Sequence, residues 1–266
     1  MNRARGRERL DLALVQRGLA DSRSRARAMI MAGDVIVEGQ AELQAGALVS
    51  LADRVVLRTK PRFVSRGGEK LAHALTAFGI DVTGRVCADF GASTGGFTDC
   101  LLQAGARRVY AVDVGYGQLH ERLRNDERVV VMDRTNARYL ETLPQIVDFV
   151  AIDASYISLA LIFPAAARIL NSEGDCVPLI KPQFEAGRTE VGKGGVVRSA
   201  DVHRRVLRNV VEAAAGIGFG VRNLSRSPLL GPKGNVEFLA QFKREESIGD
   251  IERMIEHAME PLGGGA

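Results

Sequence analysis

The sequence predicts an α/β protein: a largely parallel sheet covered by helices, preceded by a small α+β module. Three observations point there. Beyond residue 80, continuous apolar runs such as Phe149–Ile152 and Cys176–Ile180 alternate with helical periodicity, as strands buried on both faces do. The stretch Asp89-Phe90-Gly91-Ala92-Ser93-Thr94-Gly95-Gly96-Phe97-Thr98 reads as strand, glycine turn and helix. The net charge of +4 is uneven: residues 1–64 carry 12 Lys/Arg against 7 Asp/Glu, whereas the rest carries 24 against 25. The basic excess therefore belongs to an appended module of the kind that meets a polyanion.

Arg3, Arg5, Arg7 and Arg9 open the chain as a basic arm. Leu10, Leu14 and Val15 then share a helical face, and Gly18 closes that helix. Ser22 suits an N-cap. The helix after it carries Arg23, Arg25 and Arg27 on one side and Ala26, Met29 and Ile30 on the other, with Gly33 at its end. Asp34 to Gly39 predicts a strand entering a turn, and Val55–Leu57 another. A module of roughly fifty residues is at the low end for independent stability. Pro61-Arg62-Phe63-Val64 reads as a linker, because proline ends a strand and keeps the preceding residue extended. The expected division is 1–60, a linker at 61–64, and 65–266.

Ser65-Arg66-Gly67-Gly68-Glu69-Lys70 opens the main domain, and Leu71, Ala74, Leu75 and Phe78 give an amphipathic helix. Lys70 falls in its first turn, where the helix dipole mildly disfavours a cation. After the glycine turn come strands ending at Asp113, Asp133, Asp153 and Lys181, and a late strand with Glu237 near its start. Polar groups at the carboxyl ends of such strands stand where open α/β sheets bind ligands. Residues 186–198 form a Gly- and Lys-rich loop, read either as a lid or RNA contact or as a mobile connection. Helices are expected over about 201–216 and 248–260, and Gly263–Gly265 as a disordered tail.

The glycine turn matches neither G-x-G-x-x-G nor a phosphate-cradling P-loop. A carboxylate at Asp89 faces a pyrophosphate badly and suits a cationic ligand. Such an acid-then-glycine turn resembles motif I of S-adenosylmethionine-dependent methyltransferases. That resemblance makes Asp89, Gly91, Ala92, Ser93, Gly95, Gly96, Asp113, Asp133 and Asp153 the candidate cofactor residues, with Asp113 set to accept hydrogen bonds from a ribose diol. The three cysteines, Cys87, Cys100 and Cys176, are scattered and form no metal-ligand pattern with histidine, so no metal is expected. Reduced core cysteines fit a cytoplasmic protein. No run of about eighteen apolar residues exists to span a membrane, and the basic N-terminus lacks the apolar stretch of a secretory signal.

Helix, Ser-Arg-x-x-Ala helix, then Ala-Gly-x-Val-x-Val-x-Gly resembles, over residues 9–58, the αL-type RNA-binding module found in a ribosomal protein, tyrosyl-tRNA synthetases and pseudouridine synthases. The resemblance places Arg17, Arg23, Arg25 and Arg27 on RNA phosphates, which position RNA rather than read it. Arg5, Arg7 and Arg66 are further candidate RNA contacts. Lys70, Asp153, Lys181 and Glu237 match in order the Lys-Asp-Lys-Glu tetrad of RrmJ/FtsJ-like ribose 2′-O-methyltransferases, on a Rossmann-like sheet. Val64–Gly67, Gly91–Thr98, Asp113–Leu119, Arg134–Arg138, Lys181–Glu185 and Gly234–Glu237 are together similar to the TlyA family over almost the whole chain. That family implies S-adenosyl-L-methionine-dependent methylation of cytidine 2′-hydroxyls in ribosomal RNA, on ribosomal subunits, by a monomer; it also carries the name hemolysin. Phe63 stands where the family linker commonly has tryptophan, and the basic arm resembles the branch that methylates both subunits.

On this reading Lys181 contacts the 2′-oxygen, Lys70 lowers its proton affinity, and Asp153 and Glu237 orient the two ammonium groups. Competing readings are weaker. An amino-group methyltransferase needs an Asn/Asp-Pro-Pro-Tyr turn, and Asp153-Ala154-Ser155-Tyr156 has neither proline. A cytosine C5 enzyme needs a cysteine nucleophile at a strand end. A non-catalytic RNA-binding factor predicts binding without transfer. A membrane-lysing protein needs a spanning or basic amphipathic segment.

Overall fold

The structure is a computed structural model. It describes residues 7–31, 34–38, 44–50, 52–57, 61–187, 189–245, 247 and 249–261. Arg3, Arg5, Gly33, Gly39 and the glycine tail lie outside the described residues. The chain divides into two compact units, Met1–Pro61 and Arg62–Ala266.

In the first unit, β1 (Arg7–Arg9) leads directly into α1 (Leu10–Gln16), followed by α2 (Arg23–Met31), β2 (Val35–Val37), β3 (Leu48–Ser50) and β4 (Val55–Leu57). Arg7 and Arg9 are thus not in a free arm: their strand pairs antiparallel with β3, which the sequence pattern did not reveal. β2 pairs antiparallel with β4. Gly18 takes the left-handed conformation (φ +68°) that ends α1, and Ser22 Oγ accepts the Arg25 amide at 3.2 Å as the cap of α2. Leu10, Leu14, Ala26, Ile30, Val35 and Val49 form the unit's core.

The second unit begins with Arg62–Val64 already packed into it. Phe63 is buried, Val64 N donates to Asp99 Oδ2 at 2.8 Å, and Gln103 Nε2 donates to Arg62 O at 2.9 Å. Then follow α3 (Gly67–Ala77), β5 (Val86–Phe90), α4 (Gly96–Gln103), β6 (Arg108–Val112), α5 (Glu121–Arg124), β7 (Val129–Met132) and β8 (Val147–Ile152). The unit is completed by α6 (Phe163–Ile169), β9 (Leu170–Ile180), α7 (Pro182–Glu185), α8 (Ala200–Ala215), β10 (Gly220–Arg226), β11 (Phe238–Lys243) and α9 (Ile251–Met259). One seven-stranded sheet runs β10-β11-β9-β8-β5-β6-β7. Strands β9, β8, β5, β6 and β7 are parallel, whereas β11 runs antiparallel to both its neighbours, β9 and β10, so the sheet is mixed.

Alternation along the strands explains the unbroken apolar runs. Val150 and Ile152 of β8 face a core with Phe163, Leu207, Phe242 and Ile255, while Phe149 and Ala151 face a second core with Leu71, Phe97 and Leu101. Helices cover both faces, so all of β5 and the Phe149–Ile152 stretch of β8 are buried. Chain order reverses at β5, which lies between β6 and β8. A crevice opens outside the carboxyl ends at such a switch point.

Candidate active site

A cleft of about 490 Å³ lies at this switch point. Its walls come from the turns after β5, β6 and β8, including Gly91, Ser93, Asp113 and Asp153. Gly91 adopts φ +86°, and a Cβ there would lie 2.8 Å from the Asp153 carbonyl oxygen, so only glycine fits the crossing of these two turns. Ala92, Gly95 and Gly96 build the turn but do not line the cleft: Gly95 faces Leu119 and Leu123, and Gly96 is pressed against Ser65.

Asp113 ends β6 with both carboxylate oxygens engaged, Oδ2 by Ser93 N at 2.8 Å and Oδ1 by Gly115 N at 2.7 Å. It still lines the cleft and retains lone pairs for a further donor. Asp133 instead holds the neighbouring loop, accepting from Gly117 N at 3.1 Å and Arg124 Nη2 at 3.2 Å, and does not line the cleft. Ser93 (φ +48°), Arg134 (φ +53°) and Tyr156 (φ +64°) are non-glycine residues in the left-handed region, all in the turns that build this cleft. Strain of this kind persists where surrounding structure over-determines it, commonly at functional sites.

Asp89 does not face the cleft, contrary to the reading of its position. It is fully buried, and its Oδ2 accepts from Thr98 N at 2.9 Å and Thr98 Oγ1 at 2.7 Å, so it caps α4 from below. Its Oδ1 is buried without a partner among the described residues. Burial pushes this carboxyl up to about 7; the Thr98 bonds oppose the rise, and the Asp153 and Asp113 charges add to it. The unfolded chain thus releases this proton near pH 4 and the folded chain near pH 7, so the protonated-state advantage is lost as pH rises through that window. Asp89→Asn is expected to gain stability relative to wild type between pH 5 and pH 8, by on the order of 2–4 kcal/mol. Denaturant midpoints at both pH values check this; a difference independent of pH contradicts it.

Lys70, Asp153, Lys181 and Glu237 gather at the same sheet edge. Glu237 comes from the start of its strand yet reaches the carboxyl edge because β11 is antiparallel to β9: Phe238 pairs with Ile180, placing Glu237 beside Lys181 in register. The four form two ion pairs. Lys70, in the first turn of α3, pairs with Glu237 in a nearly dry setting, the residues being 8% and 1% exposed. Lys181 Nζ lies 2.7 Å from Asp153 Oδ1 and 2.8 Å from Ser155 Oγ. The two ammonium groups, expected to act on each other, are each held by a separate carboxylate. Glu237 Oε1 has no partner among the described residues. Buried charge pairs seldom gain stability over apolar packing, so their presence points to use. Asp153 belongs to both constellations, lining the cleft and holding Lys181.

Ser155, Tyr156, Gln118 and Arg138 were not singled out from sequence, yet all line the cleft. Ser155 and Tyr156 directly follow a strand-end carboxylate, and Gln118 and Arg138 lie in the family-like stretches 113–119 and 134–138, signals that were available. Tyr156 is 90% exposed and stacks tilted on Phe184, with ring centroids 4.8 Å apart. Glu185 ties the two turns together, accepting from Ser158 Oγ at 2.7 Å and Leu159 N at 2.8 Å, and burial raises its carboxyl. The 186–198 loop, described except for residue 188, is pinned rather than loose. Asn235 accepts from Val197 N at 3.1 Å and donates to Gly195 O at 2.9 Å.

Of the arginines assigned to RNA, Arg17 donates to Asp53 O and Ser50 O at 2.9 and 3.0 Å, a structural use. Arg66 donates to Leu230 O. Arg23 and Arg27 reach Asp11, Arg25 is exposed, and Arg5 lies outside the described residues. Among the described residues no group of three or more His, Cys, Asp or Glu is arranged to hold a metal ion, and no helix is long and apolar enough to cross a membrane.

Residues 63–244 match the model of the FtsJ-like methyltransferases, and residues 8–55 that of the S4 domain. The chain is 48% identical over 236 residues to the 16S/23S rRNA (cytidine-2′-O)-methyltransferase TlyA of Mycobacterium tuberculosis, covering 87% of this chain and 88% of that protein. It is 42% identical to Hemolysin A of Brachyspira hyodysenteriae, covering 88% and 99%. A solved structure of a provisionally named hemolysin from Streptococcus thermophilus is 42% identical, with TM-score 0.72 and 96% of both chains covered.

Proposed function

The chain belongs to the FtsJ-like methyltransferase family, and we propose that it transfers the methyl group of S-adenosyl-L-methionine to the 2′-oxygen of cytidine in ribosomal RNA. The observation that carries this is the sharing of Asp153 between the cleft and Lys181. It joins a cofactor-sized cavity to a lysine suited to a ribose hydroxyl. The relatives' named activity and the S4 module support ribosomal RNA as substrate, and hence a cytoplasmic setting. In this reading the first unit docks RNA and the second carries the chemistry; of the expected linker at 61–64, Arg62–Val64 belong to the second unit.

The cleft suits the cofactor chemically. Asp113 and Asp153 offer carboxylates to a ribose diol and to cationic groups, and Val112, Ile157 and Ile162 offer an apolar wall. When bound, S-adenosyl-L-methionine supplies a methyl group on a good, already cationic leaving atom. The protein must then align a ribose 2′-hydroxyl with that methyl and remove or stabilise its proton. Lys181 Nζ is held for this by Asp153 and Ser155. The Lys70–Glu237 pair walls the same edge with fixed charge. Tyr156, 90% exposed and stacked on the half-buried Phe184, presents an aromatic face beside the cleft on which a base can stack.

The test is transfer of labelled methyl from S-adenosyl-L-methionine to isolated ribosomal subunits. Label in ribosomal RNA is expected, and none with a Glu237→Ala variant that still binds cofactor. Subunit binding without transfer would instead indicate a non-catalytic RNA-binding factor.

A further inference from the structure

Among the described residues, Asp11 is the one buried acidic residue of the first unit. It lies in the first turn of α1 with no exposure, among Leu10, Ala13 and Leu14. Three arginines from two elements converge on it. Arg9 places Nε 3.1 Å from Oδ1 and Nη2 3.1 Å from Oδ2, and Arg23 Nε and Arg27 Nε each lie 3.0 Å from Oδ2. These bonds, Arg9's first, hold the Asp11 carboxyl well below the usual range against the opposing effect of burial.

One carboxylate needs one cation. Three leave two positive charges without a counter-charge in the cluster, a repulsion that an outside anion relieves. The guanidiniums stay open to such a partner, with side chains 40%, 47% and 52% exposed for Arg9, Arg23 and Arg27. Arg23 and Arg27 are one turn apart on α2, and each uses only Nε on Asp11. Among the described residues their Nη nitrogens make no hydrogen bond. A guanidinium can hold a carboxylate with one edge and a phosphate with another, which an ammonium cannot.

We propose that Asp11 is a positioning residue for RNA docking: it gathers Arg9, Arg23 and Arg27 into a preformed phosphate-binding cluster whose geometry, beyond its charge, sets RNA affinity. This rests on the reading that the first unit docks RNA. The ordering of three long side chains is completed on folding and need not be repeated on binding.

Charge and geometry predict opposite signs. Asp11→Asn removes a negative charge, so charge alone predicts tighter binding; positioning predicts about tenfold weaker binding to ribosomal subunits with a shallower salt dependence. Asp21→Asn, which removes an exposed charge nearby, is expected to bind at least as well as wild type. Should Asp11→Asn fail to fold, Arg23→Lys with Arg27→Lys keeps every charge and keeps Asp11 paired through Arg9, and is also expected to bind about tenfold more weakly. Titrations of the full chain at several salt concentrations decide it, with thermal midpoints and S-adenosyl-L-methionine affinity as folding controls. Wild-type or tighter binding by the lysine pair overturns the proposal. Arg23→Glu with Arg27→Glu separates the two ideas. If charge reversal leaves subunit binding unchanged, the docking reading itself fails and the proposal with it; if reversal abolishes binding while the lysine pair binds normally, only the positioning role is wrong.

Discussion

Lys181→Ala is expected to slow methyl transfer to ribosomal subunits by about 10²–10⁴-fold, the range for losing a positioned proton-transfer group. S-adenosyl-L-methionine affinity should stay nearly unchanged, because Lys181 does not line the cleft. The lysine ends β9 and is 8% exposed, its ammonium fixed by Asp153 Oδ1, Ser155 Oγ and, at 3.3 Å, Asp153 O. Pro182 follows at the first position of α7 and constrains the turn. Lys181→Arg separates two roles. Arginine stays charged at any accessible pH, so it cannot take a proton from the 2′-hydroxyl. An inactive arginine variant supports proton removal by Lys181; one that keeps most activity reduces the lysine to positioning and charge stabilisation. Single-turnover transfer with calorimetry of cofactor binding reads both quantities.

Asp113→Ala is expected to weaken S-adenosyl-L-methionine binding by about 10- to 100-fold, since a hydrogen bond to a charged group contributes roughly 1.5–3 kcal/mol. The loss is twofold in kind. The carboxylate offered to the ribose diol disappears, and the Ser93 and Gly115 amides lose the acceptor that shapes both turns. Ser93 sits at φ +48°, so its turn relies on that bond. Asp113→Asn, which keeps an acceptor for one amide, is expected to fall between alanine and wild type. Unchanged affinity in the alanine variant removes Asp113 from the cofactor site.

Backbone-level features were legible in the sequence because glycine turns and apolar runs report directly on backbone and burial. The β5 turn, the strands ending at Asp113 and Asp153 and the two helices of the first unit follow from such patterns. β10 escaped because a register shift between Val221 and Asn223 breaks the alternation that marks a strand. The early part of β9 escaped because Asn171 to Asp175 is polar; Asp175 is buried only because Arg85 and Gln241 meet it at 2.9 and 2.7 Å. Polar partners distant in sequence leave no local trace. The same reason hid Asp11 under three arginines and Asp89 beneath Thr98. Strand ends brought Lys181, Asp153 and Glu237 to one edge on paper, but which lysine meets which carboxylate is a matter of side-chain geometry. The antiparallel register of β11 on β9 sets Glu237 beside Lys181, yet the side chains pair Glu237 with Lys70 and Lys181 with Asp153.

The central claim is that a ribose oxygen, and not a base, receives the methyl group. The direct measurement is nucleoside analysis, by mass spectrometry, of ribosomal RNA from subunits incubated with the protein and S-adenosyl-L-methionine. The account predicts newly formed 2′-O-methylcytidine, absent when Lys181→Ala replaces the wild type. A methyl group found on the cytosine ring or its amino group, or on no nucleoside at all, would contradict it.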